Sequence, residues 1–115
     1  RRILAVYQPH MFSRTKTFFD QFLTAFADAD VTIIADIFPA RERDSGLVSA
    51  QQLVEAMRQQ PYVTAGDRQV LHGGSVEATA ELLAGILRSG DIALIMGAGD
   101  IYTVTDMLLK QTEIN

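Results

Sequence analysis

The sequence lacks several residues that mark particular classes of protein. It has no cysteine and no tryptophan, and only three prolines, in 115 residues. Without cysteine the chain cannot hold a disulfide framework, a cysteine-ligated zinc or iron–sulfur site, or a thiol nucleophile, so no residue type links it to an oxidising compartment. We therefore expect a cytoplasmic protein.

Long apolar runs and an excess of positive charge are also missing. No stretch approaches the roughly 20 apolar residues that a helix needs to cross a bilayer, and the apolar part of residues 1–10 is too short for a signal peptide. The net charge is −4, whereas binding along a phosphate backbone normally needs clustered Lys and Arg. The sequence predicts a protein that binds neither membranes nor nucleic acid.

The sequence does contain short apolar runs that alternate with amphipathic segments. A hydrophobic content of 48% in 115 residues is enough for one core and too little for two ordinary domains. Strands are predicted at residues 3–7, 31–37 and 91–96, with a weaker strand at 69–71. Strands that alternate with helices predict right-handed βαβ units. The expected fold is a Rossmann-like α/β domain, with an open, mostly parallel sheet and helices on both faces.

Four helices are predicted between and after these strands. A stripe of phenylalanines at residues 18–26 should turn the first helix toward the sheet. Ser49 and Gln52 have the spacing of a capping box at the start of the second, and Ser75 can begin the third. The last helix should follow the final strand, with Asp100 as its N-cap.

Candidate ligand-binding segments follow three strands, at residues 8–15, 38–46 and 97–100. The loops at the carboxyl ends of parallel strands line the ligand crevice of such sheets, so all three should open on one edge. Residues 8–15 carry His10 and Arg14. The Arg14 guanidinium suits a carboxylate or a phosphate, and the free N–H groups at the start of the first helix also favour an anion. The alternatives are a surface ion pair for Arg14 and a loop-stabilising role for His10.

A second candidate is the glycine-containing turn after the last strand, at residues 97–100. Gly97 and Gly99 match the first two glycines of a dinucleotide-binding fingerprint, but Tyr102 stands where the third should be. Asp100 would repel a phosphate at this position. The pattern therefore favours a tight turn that faces a ligand over a phosphate cradle.

Other polar features have simpler interpretations. Ser13 and Thr15 are interpreted as helix caps. The alternating charges of residues 40–44 are interpreted as a solvated loop, and the alternative is that one of them contacts a ligand or a neighbouring domain. The phosphate-binding motif G-x-x-x-x-G-K-[ST] does not occur in the chain, so we expect no hydrolysis of ATP by this chain alone.

Four runs of residues resemble one known family, and the resemblance extends over nearly the whole chain. The runs are AVYQPH at 5–10, FSRT at 12–15, FADAD at 26–30 and MGAGDI at 96–101. Together they resemble the C-terminal domain of the Mur ligases that add L-alanine, the UDP-N-acetylmuramate:L-alanine ligases. The run from Gln8 to Thr15 is its most specific part.

The resemblance implies a three-domain cytoplasmic parent that works in peptidoglycan precursor synthesis. Its N-terminal domain would hold the UDP-sugar, and its central domain would use ATP and magnesium to phosphorylate the muramoyl carboxylate. Residues 1–115 would be a single C-terminal domain without its first strand–helix segment and without those two domains. Such a fragment would be inactive alone, with no catalytic residue and no metal or cofactor of its own.

The resemblance also implies roles for particular residues. The C-terminal domain would present L-alanine to the central domain, with His10 and Arg14 at the positions that hold the L-alanine carboxylate. One departure from the family pattern is Met11, because many members have Arg there. A second cation would then be missing from this part of the site.

Two interpretations from other classes remain open at this stage. A stand-alone nucleotide-binding module would need a complete glycine fingerprint followed by an acidic residue for the ribose. A receiver-like signalling domain would need clustered acids near its first strand and a lysine at a late strand end. Tyr7, Gln8 and Gly97 occupy the comparable positions here.

Overall fold

Four parallel strands form the centre of the molecule in a computed structural model that describes residues 1–44, 46–97 and 100–114. The strands are β1 (Ile3–Gln8), β2 (Val31–Ala35), β3 (Gln69–Gly74) and β4 (Ile92–Gly97). They are hydrogen-bonded in the order β3-β2-β1-β4, and every neighbouring pair is parallel. The predicted open α/β sheet is therefore confirmed.

Helices cover both faces of this sheet. They are α1 (Phe12–Thr17), α2 (Phe19–Ala25), α3 (Ala50–Arg58), α4 (Pro61–Thr64), α5 (Val76–Ile86) and α6 (Thr103–Ile114). Side chains of α1 to α4 pack around one apolar cluster, and those of α5 and α6 pack around a second. No helix in the described ranges is long and apolar enough to span a membrane.

The predicted first helix is broken in two at Phe18, whose side chain is exposed. The break follows two hydroxyls that bond back to the preceding turn. Thr15 Oγ1 donates to the carbonyl of Met11, and Thr17 Oγ1 donates to that of Ser13. Such bonds compete with the regular helical pattern and often bend helices.

The helix starts were predicted with mixed success. The capping box of α3 is confirmed, because the Gln52 N–H lies 3.1 Å from Ser49 Oγ and the Ser49 N–H lies 3.0 Å from Gln52 Oε1. Ser75 caps α5 by accepting from the Ala78 N–H. The prediction for Asp100 was wrong, because the backbone makes a turn of 3-10 helix at Asp100–Tyr102 before α6 begins. Such tighter turns are common at helix ends.

The strand order places a ligand crevice at one position in the sheet. The chain adds β2 and then β3 on one side of β1, and afterwards crosses to add β4 on the other side. In open α/β sheets, ligands bind where the order reverses in this way, at the carboxyl ends of the two strands. Here that position lies between β1 and β4.

The edge strand β4 leaves apolar side chains uncovered. Ile92 is 39% exposed and Leu94 is 48% exposed. Leu94 lines an apolar groove of 300 Å³ together with side chains of β1 and of the α2 region. Within the described part of the chain, no helix packs over this part of the sheet.

Candidate functional site

Gly97, the last residue of β4, lies tightly against the end of β1. Gly97 has φ +146°, and a Cβ atom there would lie 2.9 Å from Ile101 Cγ2 and 3.0 Å from the Gln8 carbonyl oxygen. Only glycine fits such an approach without displacing its neighbours. The predicted turn at residues 97–100 stays a prediction, because Ala98, Gly99 and the side chain of Asp100 lie outside the described residues.

His10 is held in place by the chain that follows β2. The Phe38 N–H lies 2.8 Å from the Pro9 carbonyl oxygen, and the Met11 N–H lies 2.7 Å from the Phe38 carbonyl oxygen. The His10 ring stacks on the Phe38 ring, with centroids 5.8 Å apart. Its Nδ1 is buried without a hydrogen-bond partner among the described residues, which leaves Nε2 as the nitrogen that a ligand can use.

Arg14 is exposed on α1, on the same sheet face as Tyr7. Burial raises the pKa of the Tyr7 hydroxyl, and the nearby positive charge of Arg14 partly offsets this rise. Within the described ranges the Arg14 guanidinium has no hydrogen bond and no ion pair. The alternative of a surface ion pair thus finds no partner in the described part of the chain.

The two candidate ligand-binding residues belong to one short segment but have different neighbours. The His10 ring stacks on Phe38, which follows the carboxyl end of β2, whereas Arg14 lies near Tyr7 of β1. Among the described residues no hydrogen bond or ion pair joins the two side chains. Any ligand held by both would have to bridge them.

The start of α1 is occupied by a carboxylate from elsewhere in the chain. Ser13 donates twice to Glu42, from its backbone N–H to Oε1 at 3.1 Å and from its hydroxyl to Oε2 at 2.5 Å. These bonds hold the pKa of Glu42 below its ordinary value, with smaller contributions from the Phe12 N–H and His10. An internal anion therefore takes a position that the sequence predicted to be free for a ligand.

The predictions for two polar residues of α1 were wrong. The N-cap position is Met11, which makes no side-chain capping bond. Ser13 donates to Glu42 instead of capping. Thr15 is buried, with Oγ1 2.7 Å from the Met11 carbonyl oxygen. Glu42 lies 29 residues along the chain from Ser13, so local spacing could not reveal it, although both residues follow the carboxyl ends of neighbouring parallel strands.

A second polar pair lies at the carboxyl ends of β2 and β3. His72 Nε2 is 2.9 Å from Asp36 Oδ1, and Asp36 also borders a cleft of 230 Å³ beside the start of α3. The sequence did not single out this pair. Among the described residues, no group of three or more His, Asp or Glu side chains is arranged to hold a metal ion.

These features define a class of protein before any comparison. The strand order of the parallel sheet reverses between β1 and β4. The segment that follows β1 carries an imidazole stacked on Phe38 and a guanidinium without an ion pair among the described residues. The arrangement is that of a Rossmann-like α/β domain with a cationic side chain in the loop–helix segment after its first strand.

Comparison with known proteins identifies the family. A search against models of protein families found no match. Three similar proteins are UDP-N-acetylmuramate–L-alanine ligases. The one from Geobacter sulfurreducens is 41% identical over 113 residues, which is 98% of this chain and 23% of that protein. Those from Clostridium tetani and Gloeothece citriformis are 40% and 39% identical over 95% and 96% of this chain, and over 23% and 21% of their own lengths.

The resemblance seen in the sequence is therefore confirmed. The chain is homologous to one segment of the UDP-N-acetylmuramate–L-alanine ligases of the Mur ligase family, and it spans between 21% and 23% of the length of these relatives. Neither a nucleotide-binding module nor a receiver domain is supported by these relatives.

Proposed function

We propose that this chain is the C-terminal, amino-acid-presenting domain of an ATP-dependent ligase that joins L-alanine to UDP-N-acetylmuramate in the cytoplasm. One observation carries the proposal. Arg14 is a guanidinium without an ion-pair partner in the described residues, and it lies on the helix that follows β1 in a chain whose relatives are named for L-alanine.

Arg14 binds the carboxylate of L-alanine in this proposal. Its planar fork can donate two parallel hydrogen bonds to the two carboxylate oxygens. His10 supports the same carboxylate through Nε2, because Nδ1 is buried. Met11, at a position that is often Arg in the family, adds no second cation.

Holding the carboxylate fixes the direction of the amine. When the domain closes on the central domain, the amine nitrogen attacks the muramoyl acyl phosphate. The new C–N bond replaces the bond to phosphate, which departs, and the nitrogen loses a proton. Orientation and exclusion of water both favour this reaction over hydrolysis.

ATP and magnesium do not fit the residues of this chain, which lacks the phosphate-binding motif. We assign both to the central domain of the parent and derive no step through them. The chain alone should therefore form no amide bond. Nucleic acid and membranes are not among the proposed partners.

The uncovered face of β4 supports the proposed domain organisation. Leu94 and Met96 line an apolar groove against Phe26, and an apolar surface of this kind is stabilised by being covered. We propose that the first strand–helix segment of the domain, which precedes residue 1 in the parent, covers this groove.

Steady-state kinetics of the full-length ligase tests the role of Arg14. Replacing Arg14 by Ala removes a charge-assisted hydrogen bond of about 1.5–3 kcal/mol, which corresponds to an apparent affinity for L-alanine about 10- to 100-fold weaker. The Michaelis constants for ATP and the UDP-sugar should hardly change. Arg14→Lys should restore only part of the affinity, because an ammonium keeps the charge and loses the fork.

Lys16→Ala is the matched control. Lys16 is an exposed cation on the same helix, and its removal should leave all three Michaelis constants unchanged. A normal Michaelis constant for L-alanine in Arg14→Ala would reject the proposed role of Arg14. If the constant rose equally in Lys16→Ala and Arg14→Ala, the rise would be a general effect of positive charge, and a specific role of Arg14 would also be rejected.

A further inference from the structure

The loop after β2 folds back over α1 through a strained turn. Residues 39–42 form a turn in which the Glu42 N–H lies 2.9 Å from the Pro39 carbonyl oxygen. Its two central residues, Ala40 and Arg41, have φ values of +50° and +75°. Glycine or asparagine normally occupies such positions, because a Cβ atom disfavours this conformation. The surrounding contacts must therefore stabilise the turn.

The consequence of the turn is the position of Glu42. Both carboxylate oxygens accept from Ser13, one from the backbone and one from the hydroxyl. The helix that receives them, α1, has only six residues, and a helix of this length is unstable without outside contacts. Its N-cap residue, Met11, also has a positive φ of +69° and no side-chain cap. Glu42 supplies the cap that the local sequence lacks.

The same loop also holds the segment that carries His10. Phe38, four residues before Glu42, exchanges backbone hydrogen bonds with Pro9 and Met11 and stacks on the His10 ring. Three non-glycine residues with positive φ thus lie in the two segments that meet here. Backbone strain of this kind is typically found at functional sites, where surrounding structure holds it in place.

We propose that Glu42 is a positioning residue of the L-alanine site. Its carboxylate fixes the start of α1, and so fixes the backbone that places Arg14 relative to His10. Glu42 itself touches no substrate. This inference rests on the proposed function of Arg14 and His10.

Variants of Glu42 in the full-length ligase test the proposal. Glu42→Ala leaves the start of α1 without its cap, and the Michaelis constant for L-alanine should rise about tenfold, because small displacements of orienting groups cost much of their effect. Those for ATP and the UDP-sugar should stay within about twofold. Glu42→Gln should raise the constant for L-alanine by only about threefold, since its amide oxygen can still accept from the Ser13 N–H.

Glu77→Ala is the control, because Glu77 is an exposed acid in the first turn of α5 on the opposite face of the sheet. It should leave all constants unchanged. A merely structural role for Glu42 predicts a lower melting temperature with no selective effect on L-alanine, and that result would overturn the proposal. If Glu42→Ala does not fold, the partial effect expected of Glu42→Gln decides the matter.

A second measurement separates this proposal from the proposed function. Hydrogen exchange of the peptide that spans residues 10–17 should accelerate in Glu42→Ala and not in Arg14→Ala. Suppose that Arg14→Ala weakens L-alanine binding, whereas Glu42→Ala changes neither the Michaelis constant for L-alanine nor the hydrogen exchange of residues 10–17. The positioning role of Glu42 is then wrong, and the proposed function stands. If Arg14→Ala leaves L-alanine kinetics normal, the proposed function fails, and the positioning role fails with it.

Discussion

Strands β2 and β4 have similar sequences and different surroundings. Both are short apolar runs, VTIIA and IALIMG. All five residues of β2 are buried, because helices cover both faces and strands flank both edges. In β4, by contrast, Leu94 is 48% exposed. The apolar sequence of a strand therefore indicates that burial stabilises it. The position of the strand in the sheet determines whether other residues of the described chain bury it.

The ends of the strands show the same difference. Beyond β2 and β3 the polar groups find partners within the chain, since Asp36 pairs with His72 and Glu42 with Ser13. By contrast, the Arg14 guanidinium, one residue after Ser13 on α1, has no such partner in the described residues, and the groove at Leu94 of β4 is open. In the proposed function, Arg14 meets the substrate and the groove meets another segment of the ligase.

Matched truncations of the two strands should show the largest effect. Ile33 of β2 is fully buried, and Ile33→Ala should lower the free energy of unfolding by about 2–5 kcal/mol. A domain of this size has only roughly 5–15 kcal/mol in total. Leu94→Ala removes a similar side chain from β4 and should cost about 1 kcal/mol or less, because half of that side chain already meets water. Urea denaturation of the 115-residue chain measures both.

Repeating Leu94→Ala in the full-length protein extends this prediction. If the parent covers the groove, the loss there should approach that of a buried leucine, about 2–5 kcal/mol. Equal and small losses in both proteins would show that the groove stays open and would contradict the proposed covering segment.

A smaller, pH-dependent effect is expected where β4 begins. Arg2 donates a hydrogen bond to Asp91 at 2.7 Å. This bond, with a smaller contribution from the hydrogen bond of the Arg88 N–H, holds the pKa of the Asp91 carboxyl below its ordinary value. A depressed pKa in the folded state stabilises the fold above the unfolded pKa, about 3.9, and this stabilisation is lost as the pH falls through the folded pKa. Asp91→Asn should therefore lower the denaturation midpoint at pH 7.

The difference between wild type and Asp91→Asn should shrink as the pH falls below about 4. Asp20→Asn is the control, because Asp20 lies exposed in the first turn of α2. A difference that stays constant from pH 7 to pH 3 would show that the ion pair at the start of β4 does not behave as described.

The fold could be predicted from local patterns because those patterns reflect burial. The four strands, the capping box of Ser49 and the start of α5 all depend on residues close together in sequence. The break at Phe18 was missed, because a phenylalanine stripe records which side chains are apolar and not whether threonine hydroxyls interrupt the helix. Asp100 was misplaced by one turn, since the same residue type can begin a 3-10 turn or an α-helix.

The candidate site was predictable only in part. The strand ends indicated where His10, Arg14 and Gly97 would lie, because parallel strands bring their carboxyl ends to one edge. The loop at residues 38–46 was expected at this same edge. The contacts of Glu42 with Ser13 and of Phe38 with His10 were missed, since they join residues nearly thirty positions apart. The exposure of Leu94 was missed for a related reason. It depends on the order of the strands in the sheet, and the sequence of one strand does not indicate that order.

The role of Arg14 is best judged from the substrate's own charge. The full-length ligase would be assayed with L-alanine and with L-alaninamide, whose amide replaces the carboxylate and carries no negative charge. Wild type should prefer L-alanine in kcat/KM, and Arg14→Ala should reduce that preference about 10- to 100-fold, because the lost interaction exists only with the carboxylate. An unchanged preference in Arg14→Ala would contradict the assignment of Arg14 to the L-alanine carboxylate.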